Sequence, residues 1–472
     1  MMFAARAQFG LVVLFLGIFP LATLFFSPWS DHDAERVAQL LVYASAALAL
    51  TFSIGVRRPQ LKLPVFIAAG ILIAVLLALV SITRAGVRTW AMVEAAMFVG
   101  MIVCAITVAW VVRERGDRDC SLAVIFAVAP YSLLILALSL AAVIRSDSLL
   151  RWELFAGYSN FRFFNHVQTV FLPLLVIASL DEALSRSMRR VAFSSAALNV
   201  AFILFTAARA TTAGLLIGCA IAALLCDKAG RNWSRRFLQI AVMGALIYGL
   251  VYVVLPSVAG LRSDVSTAEL AANQQSVGLR FQLWRLAIGY ALQSPWFGIG
   301  PMHYAHFPNS EAAHPHNFSL QLAAEWGIPF FVLLAVGAAY ALYRAIRLTR
   351  AAAEPRRAMI GTGLVVSFAA ILVDSNFSGN FVMPMSQTWI AFMLGWLAAW
   401  MRGEQTWGRV RTWVAQPWML FAAATAAVLI TLFPLWVIRN QVTDLPGYLD
   451  QVRASIVRND HDSPRFWSHG WF

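Results

Sequence analysis

Apolar residues in this chain gather into runs of roughly 17–25, rather than alternating with polar residues at a strand period. A run of that length matches the hydrocarbon thickness of a bilayer when it is helical. The pattern predicts helices near 8–27, 36–55, 63–82, 88–112, 121–143, 166–184, 191–208, 211–226 and 237–256. After a long polar interruption it predicts four more, near 329–348, 358–375, 383–401 and 416–438. The 211–226 run is short, and as a half-inserted element it would lower the count from thirteen to twelve. The expected fold is therefore an all-α polytopic membrane protein with 12–13 transmembrane helices and one large loop carrying short helices. Its expected divisions are an N-terminal bundle (1–256), the loop (257–328), a C-terminal group of helices (329–438) and a tail (439–472).

Composition agrees with that reading. Sixty per cent of the 472 residues are hydrophobic, 12% are charged and the mean hydropathy is +0.71. A soluble globule carries about 25% charge. The net charge of +13 invites a nucleic-acid partner, but its distribution argues against one. The arginines stand singly or in short clusters between apolar runs, which is a topology signal. Basic loops holding Arg57, Arg58 and Lys62, then Arg113, Arg115 and Arg118, then Arg186, Arg189 and Arg190, alternate with poorer ones. The alternation continues through Lys228–Arg236, Arg344–Arg357 and Arg402–Arg411. The positive-inside rule makes these loops and the N-terminus cytoplasmic. The 257–328 loop then faces outward, into the periplasm of a Gram-negative cell. The first apolar run lacks an Ala-x-Ala cleavage site and is expected to be a retained span. Cys104, Cys120, Cys219 and Cys226 lie in or beside spans without metal-ligand spacing, as buried reduced thiols do.

The polar interruption concentrates the candidate chemistry. Between Gly278 and Gly327 it reads Gly278-Leu-Arg280-Phe-Gln-Leu-Trp284-Arg285, then Pro295-Trp-Phe-Gly298-Ile-Gly300, then His314-Pro-His316-Asn317 and Glu325-Trp-Gly327. It holds four of the eight histidines: His303, His306, His314 and His316. Polar residues held at a membrane surface by flanking spans are the default place to seek function. His303-x2-His306 and His314-x-His316 have possible ligand spacings. The loop offers no cysteine, however, and only Glu311 and Asp264 as nearby acids, so a metal is not expected. Gly298-Ile-Gly300 has no surrounding strand–helix unit and reads as a tight turn, not a dinucleotide fingerprint. Residues 262–277 are polar and are expected to be mobile without a ligand.

These motifs resemble the O-antigen ligase family, whose core is shared with O-antigen polymerases and bacterial protein O-oligosaccharyltransferases. The resemblance rests on Arg280-x3-Trp284, Pro295-x2-Gly298-x-Gly300, and His316-Asn317 followed by Glu325 and Gly327. The family places a small or tyrosine residue three positions past that glycine, where this chain has Phe330. It places a Ser-Arg pair where Ala208-Arg209 stands. The resemblance implies a GT-C-like glycosyltransferase of the inner membrane that needs neither a nucleotide cofactor nor a metal. Its implied partners are undecaprenyl diphosphate-linked O-antigen, lipid A-core oligosaccharide and membrane lipid. An active site facing the periplasm meets no nucleotide supply, so its donor must arrive already activated on a lipid.

Such a reaction needs cations for a diphosphate leaving group and a group to receive a proton. Arg280 opens a stretch in which Arg280, Trp284, Ala287, Ile288 and Ala291 recur at helical spacing. Placed near a helix N-terminus, it suits phosphate through both its fork and the backbone amides; as an interfacial anchor it would simply snorkel. Arg209, at a tight turn between two apolar runs, requires an anionic partner, either substrate or a carboxylate such as Asp374 or Glu325. Arg162 lies among aromatics before Asn165-His166 and fits substrate binding or an interfacial belt equally. His316 is the candidate for acid–base work, with Asn317 orienting it or bonding sugar. Glu325 is read as orienting a base, serving as one, or capping the next helix. Trp284 and His314 complete the set of candidate substrate contacts. A tail of about 34 residues after the last span favours the ligase over the oligosaccharyltransferases, which often carry a larger C-terminal domain. A lipid or anion transporter is the non-enzymatic alternative, and it would place its ionisable groups deep in the bundle.

Overall fold

In the computed structural model the described residues are 2–26, 29–58, 61–145, 149, 154–261, 267–307, 312–402, 411–455 and 465–472. Helix dominates, as 60% hydrophobic content in long runs requires: a backbone in hydrocarbon satisfies its own amides only in a helix or a closed barrel. The chain begins with α1 (Met2–Gly17) and α2 (Phe19–Phe26), which together fill the first expected span. The N-terminal bundle continues with α3 (Asp31–Arg57), α4 (Val65–Arg84), α5 (Arg88–Arg115) and α6 (Asp117–Ile144). Next come α7 (Phe161–Leu180), α8 (Arg186–Phe205) and α9 (Arg209–Leu225). The helix α10 (Asp227–Tyr248) runs on through a π turn at Gly249–Val254 and a last turn at Leu255–Val258. The loop supplies α11 (Thr267–Gln293) and α12 (Phe318–Trp326). After it come α13 (Ile328–Ala351), α14 (Pro355–Asp374), α15 (Pro384–Arg402), α16 (Pro417–Val442) and α17 (Leu445–Ser455).

Every expected span coincides with a helix. Among the described residues ten helices are long and apolar enough to cross a membrane; α1–α2, α9 and α15 fall outside that group. The helix α9 has only 17 residues and fits because of glycine. A Cβ at Gly214 would stand 2.8 Å from the Ala370 carbonyl oxygen, and one at Gly218 would stand 2.8 Å from that of Val366. The Gly-x3-Gly face therefore brings α9 directly against the backbone of α14. Buried along most of their length, α7 and α14 form the centre of the bundle, whereas α4 and α13 lie at its edge with their apolar faces outward.

The two ends of the bundle differ in chemistry. At one end the loops rich in arginine meet one another. The strand β1 (Leu61–Pro64) pairs antiparallel with β2 (Thr412–Ala415), joining two loops that the charge pattern assigns to the same side. Arg356 grips Asp181 with two hydrogen bonds of 2.7 and 3.1 Å, Arg350 reaches Asp227 at 3.2 Å, and Arg57 pairs with Glu114. At the opposite end lie the starts of α3, α7 and α9, the 278–327 stretch, the α14–α15 connection and residues 465–472.

Two expectations about the loop change. Residues 262–266 lie outside the described residues, but the backbone from Thr267 is helical, so a polar run expected to be a loop extends α11 by three turns. Alanine, glutamate, leucine and glutamine in that run are strong helix formers whatever their polarity. Arg280 consequently sits inside α11 and not near its N-terminus, which removes the expected help from free backbone amides.

Candidate active site

The glycines of the two loop motifs form one lock. Gly298 and Gly327 have φ of 69° and 93°, a backbone region that side-chain-bearing residues avoid. A Cβ on Gly298 would overlap the Glu325 backbone, and one on Gly327 would overlap that of Trp296. The two segments instead exchange backbone hydrogen bonds: Ile299 N–H donates to Ala324 at 2.8 Å, Gly300 to Glu325 at 3.0 Å, and Ile328 to Pro295 at 2.8 Å. The end of α12 is thereby fixed against the turn that follows α11. Leu283, Ala287 and Ala324 close the apolar seam between the two helices.

This frame presents the histidine loop. Trp284, one helical turn after Arg280, donates its indole N–H to the Pro315 carbonyl at 3.1 Å. His316 has φ of 51°, a strained value for a β-substituted residue and the kind of backbone that clusters at functional sites. Its backbone N–H donates to His314 Nδ1 at 3.3 Å, and the two rings lie 4.1 Å apart. Asn317 caps α12, its side-chain oxygen accepting from Leu320 N–H at 3.0 Å. Phe318 N–H donates to the Ser375 carbonyl at 2.8 Å and its ring stacks on Phe381 at 4.2 Å, tying the loop to the α14–α15 connection.

The site electrostatics come from four helices. Burial first, and then the nearby Arg280 and Arg162, push the His316 imidazole down to about 3. Arg209, the first residue of α9, acts on Arg280, as does Asp374 at the end of α14. Burial and Arg209 lower the Arg280 guanidinium from its ordinary value. His314 is buried and held well below its usual range, first by burial and then by His316 and Arg465. Both rings are thus neutral at physiological pH and able to accept a proton. Two guanidinium groups beside a neutral imidazole, with Arg209 acting on one of them, form a site suited to an anion.

The structure therefore gathers Arg162, Arg209, Arg280, Trp284, His314, His316 and Asn317 at one end of the bundle. Glu325 lies at the same end but is taken up by a partner of its own. Glu325 is fully buried and accepts a 2.7 Å hydrogen bond from Arg465, which also reaches Glu94 at 3.0 Å. Its other oxygen accepts from Tyr304 N–H at 3.0 Å. The four histidines also separate. His303 accepts from Val87 N–H at 2.9 Å, and His306 lies against Phe472 at the chain end, away from the His314–His316 pair. Among the described residues no three His, Cys, Asp or Glu side chains converge as metal ligands.

Sequence reasoning passed over His166. It is buried on the first turns of α7, within electrostatic range of His316, Arg162 and Arg280, and among the described residues its Nδ1 has no hydrogen-bond partner. A buried ring nitrogen without a partner, on a histidine within range of a cationic site, is a candidate substrate contact. The signal available in the sequence was the dipeptide Asn165-His166. Asn165 positions this corner by donating to Gln168 and to Thr206, both at 2.9 Å, while Gln168 donates to Asn199 at 3.0 Å. These bonds brace α7 against α8 and hold Arg162 beside the turn that carries Arg209.

Fold and site together define a polytopic helical membrane protein with a cationic, histidine-bearing site at one end of its bundle. Residues 194–335 match the family model described as O-antigen ligase, so this part of the chain is similar to that family. The match runs from α8 into α13 and contains Arg209, Arg280 and His316, and it indicates an enzyme of the glycosyltransferase type. No curated protein matches the chain.

Proposed function

We propose that this protein is an O-antigen ligase of the bacterial inner membrane. On this reading it moves a finished O-antigen polysaccharide from undecaprenyl diphosphate to lipid A-core oligosaccharide, with its active site facing the periplasm. The observation that carries the reading is that Arg162 and Arg280 both act on His316, with Arg209 in turn within electrostatic range of Arg280. The arginines bind the diphosphate, with Arg280 contributing from the middle of α11. His316, neutral in the empty site, takes the proton from the acceptor hydroxyl as its oxygen attacks the anomeric carbon. The bond from that carbon to the phosphate oxygen breaks, the configuration inverts, and undecaprenyl diphosphate leaves with its charge held by the guanidinium groups. Donor binding offsets the part of the depression that Arg280 and Arg162 add to burial, so the imidazole gains some basicity as the donor arrives.

The test is transfer in vitro, with purified protein, lipid-linked glycan, and either rough lipopolysaccharide, a second lipid-linked repeat or a serine-containing peptide as acceptor. Ligase activity gives product only with lipopolysaccharide and persists in the presence of a chelator. Product only with the lipid-linked repeat, or only with peptide, would reassign the chain to the polymerase or protein-glycosylating branch.

A further inference from the structure

A cationic cavity lies at the other end of the bundle, far along α7 from the site just described. It encloses about 470 Å³ and is lined by Arg186, Arg189, Arg190 and Arg236, with Ser179 and Phe193. We propose that it is a binding site for a phosphate-bearing anion, with the headgroup of an anionic phospholipid as its occupant.

Four observations lead there. Arg186, Arg189 and Arg190 stand at i, i+3 and i+4 of α8, so their side chains share one face; like charges at that spacing destabilise a helix unless an anion joins them. Second, no carboxylate lines the cavity among the described residues, and Asp181, two residues past Ser179, is already held by two hydrogen bonds from Arg356. Third, Arg236 on α10 is positioned across the cavity: its guanidinium lies 4.7 Å over the Phe193 ring and reaches Ser179 at 3.4 Å. Fourth, Arg186, which lines the cavity, is the first residue of α8 and so stands at the positive end of that helix's dipole. Arginines that only set topology have no reason to converge on a concavity. A volume of this order accommodates a phosphoglycerol headgroup, and basic pockets between spans on the cytoplasmic side suit anionic lipids. The inference does not depend on the reaction proposed above, because it uses none of the same residues.

The test uses the full chain, purified and delipidated in detergent, with phosphatidylglycerol, phosphatidylcholine or inorganic phosphate as probe. Bound lipid is counted by native mass spectrometry. Wild-type protein should retain phosphatidylglycerol in preference to phosphatidylcholine. Each guanidinium removed should cost about fivefold in affinity, so Arg186→Gln with Arg190→Gln should cost about 25-fold. The control pair Arg344→Gln with Arg347→Gln, outside the cavity, should bind as wild type. Should the glutamine pair fail to fold, Arg186→Lys with Arg190→Lys keeps the charge and should hold the lipid within a few-fold. Displacement of the lipid by millimolar phosphate assigns the site to phosphate from either source, and resistance to displacement assigns it to the lipid. No preference for phosphatidylglycerol in wild type, or equal loss in the control pair, overturns the proposal.

Discussion

Arg465→Met offers the sharpest test of how the outer face is held together. Arg465 is 1% exposed and its Nη2 donates to Glu325 at 2.7 Å and Glu94 at 3.0 Å, while the backbone beside it is gripped by the buried Arg36. Removing one partner from a buried ion pair costs about 3–5 kcal/mol, because a desolvated charge remains. Here two carboxylates remain together. The pH dependence gives the distinguishing sign. Burial, with Glu94 beside it, raises the Glu325 carboxyl to about 7 even while Arg465 pulls it down. A raised folded-state value contributes stability at acid pH that is lost as pH climbs from the unfolded value toward the folded one. In wild type that loss ends near 7; without Arg465 the folded value rises further and the loss continues above neutrality, by up to about 1.4 kcal/mol per pH unit for one proton. Denaturant midpoints in detergent between pH 6 and pH 9 measure this. The variant should keep falling above pH 7, where wild type levels off, and adding Glu325→Gln should flatten the curve. A variant as stable as wild type and equally insensitive to pH would refute the clasp.

Three further outcomes follow from the site. Since kcat/KM reports groups of the free enzyme, and the empty-site His316 is held near 3 by burial, Arg280 and Arg162, kcat/KM should show no acid limb between pH 5 and 7. Arg280→Gln should raise that limb toward neutrality as well as weakening donor binding, and steady-state kinetics across pH separates the two effects. Gly298→Ala and Gly327→Ala, each forcing a Cβ into backbone at positive φ, should lose more than 2 kcal/mol of stability and most of the transfer activity; a well-folded, active variant of either contradicts the lock. Asn317→Ala should cost about 1 kcal/mol through the lost cap, seen as a shifted unfolding midpoint.

The spans were legible because length and apolarity are enough to define them, and arginine spacing sorted the loops into two sets that the β1–β2 pairing and the Asp181–Arg356 bonds bring to one end. Packing was less legible. That α9 works at 17 residues depends on Gly214 and Gly218 meeting a helix about 150 residues further on, a contact no local pattern encodes. Arg280 fell inside α11 because polarity hid strong helix propensity. Glu325 looked like site chemistry because its partner, Arg465, lies 140 residues downstream. His166 went unassigned for the opposite reason: its orientation toward His316 depends on how α7 sits against the loop, which sequence alone does not express.

The central claim is that Arg280 and His316 act together on one lipid diphosphate. The measurement that meets it most directly is single-turnover transfer of lipid-linked glycan to rough lipopolysaccharide in proteoliposomes, with insertion of each variant verified. His316→Ala should lower the rate about 10²–10⁴-fold, with Arg280→Ala lowering donor affinity and rate together. Correctly inserted His316→Ala protein that ligates at the wild-type rate would contradict the account.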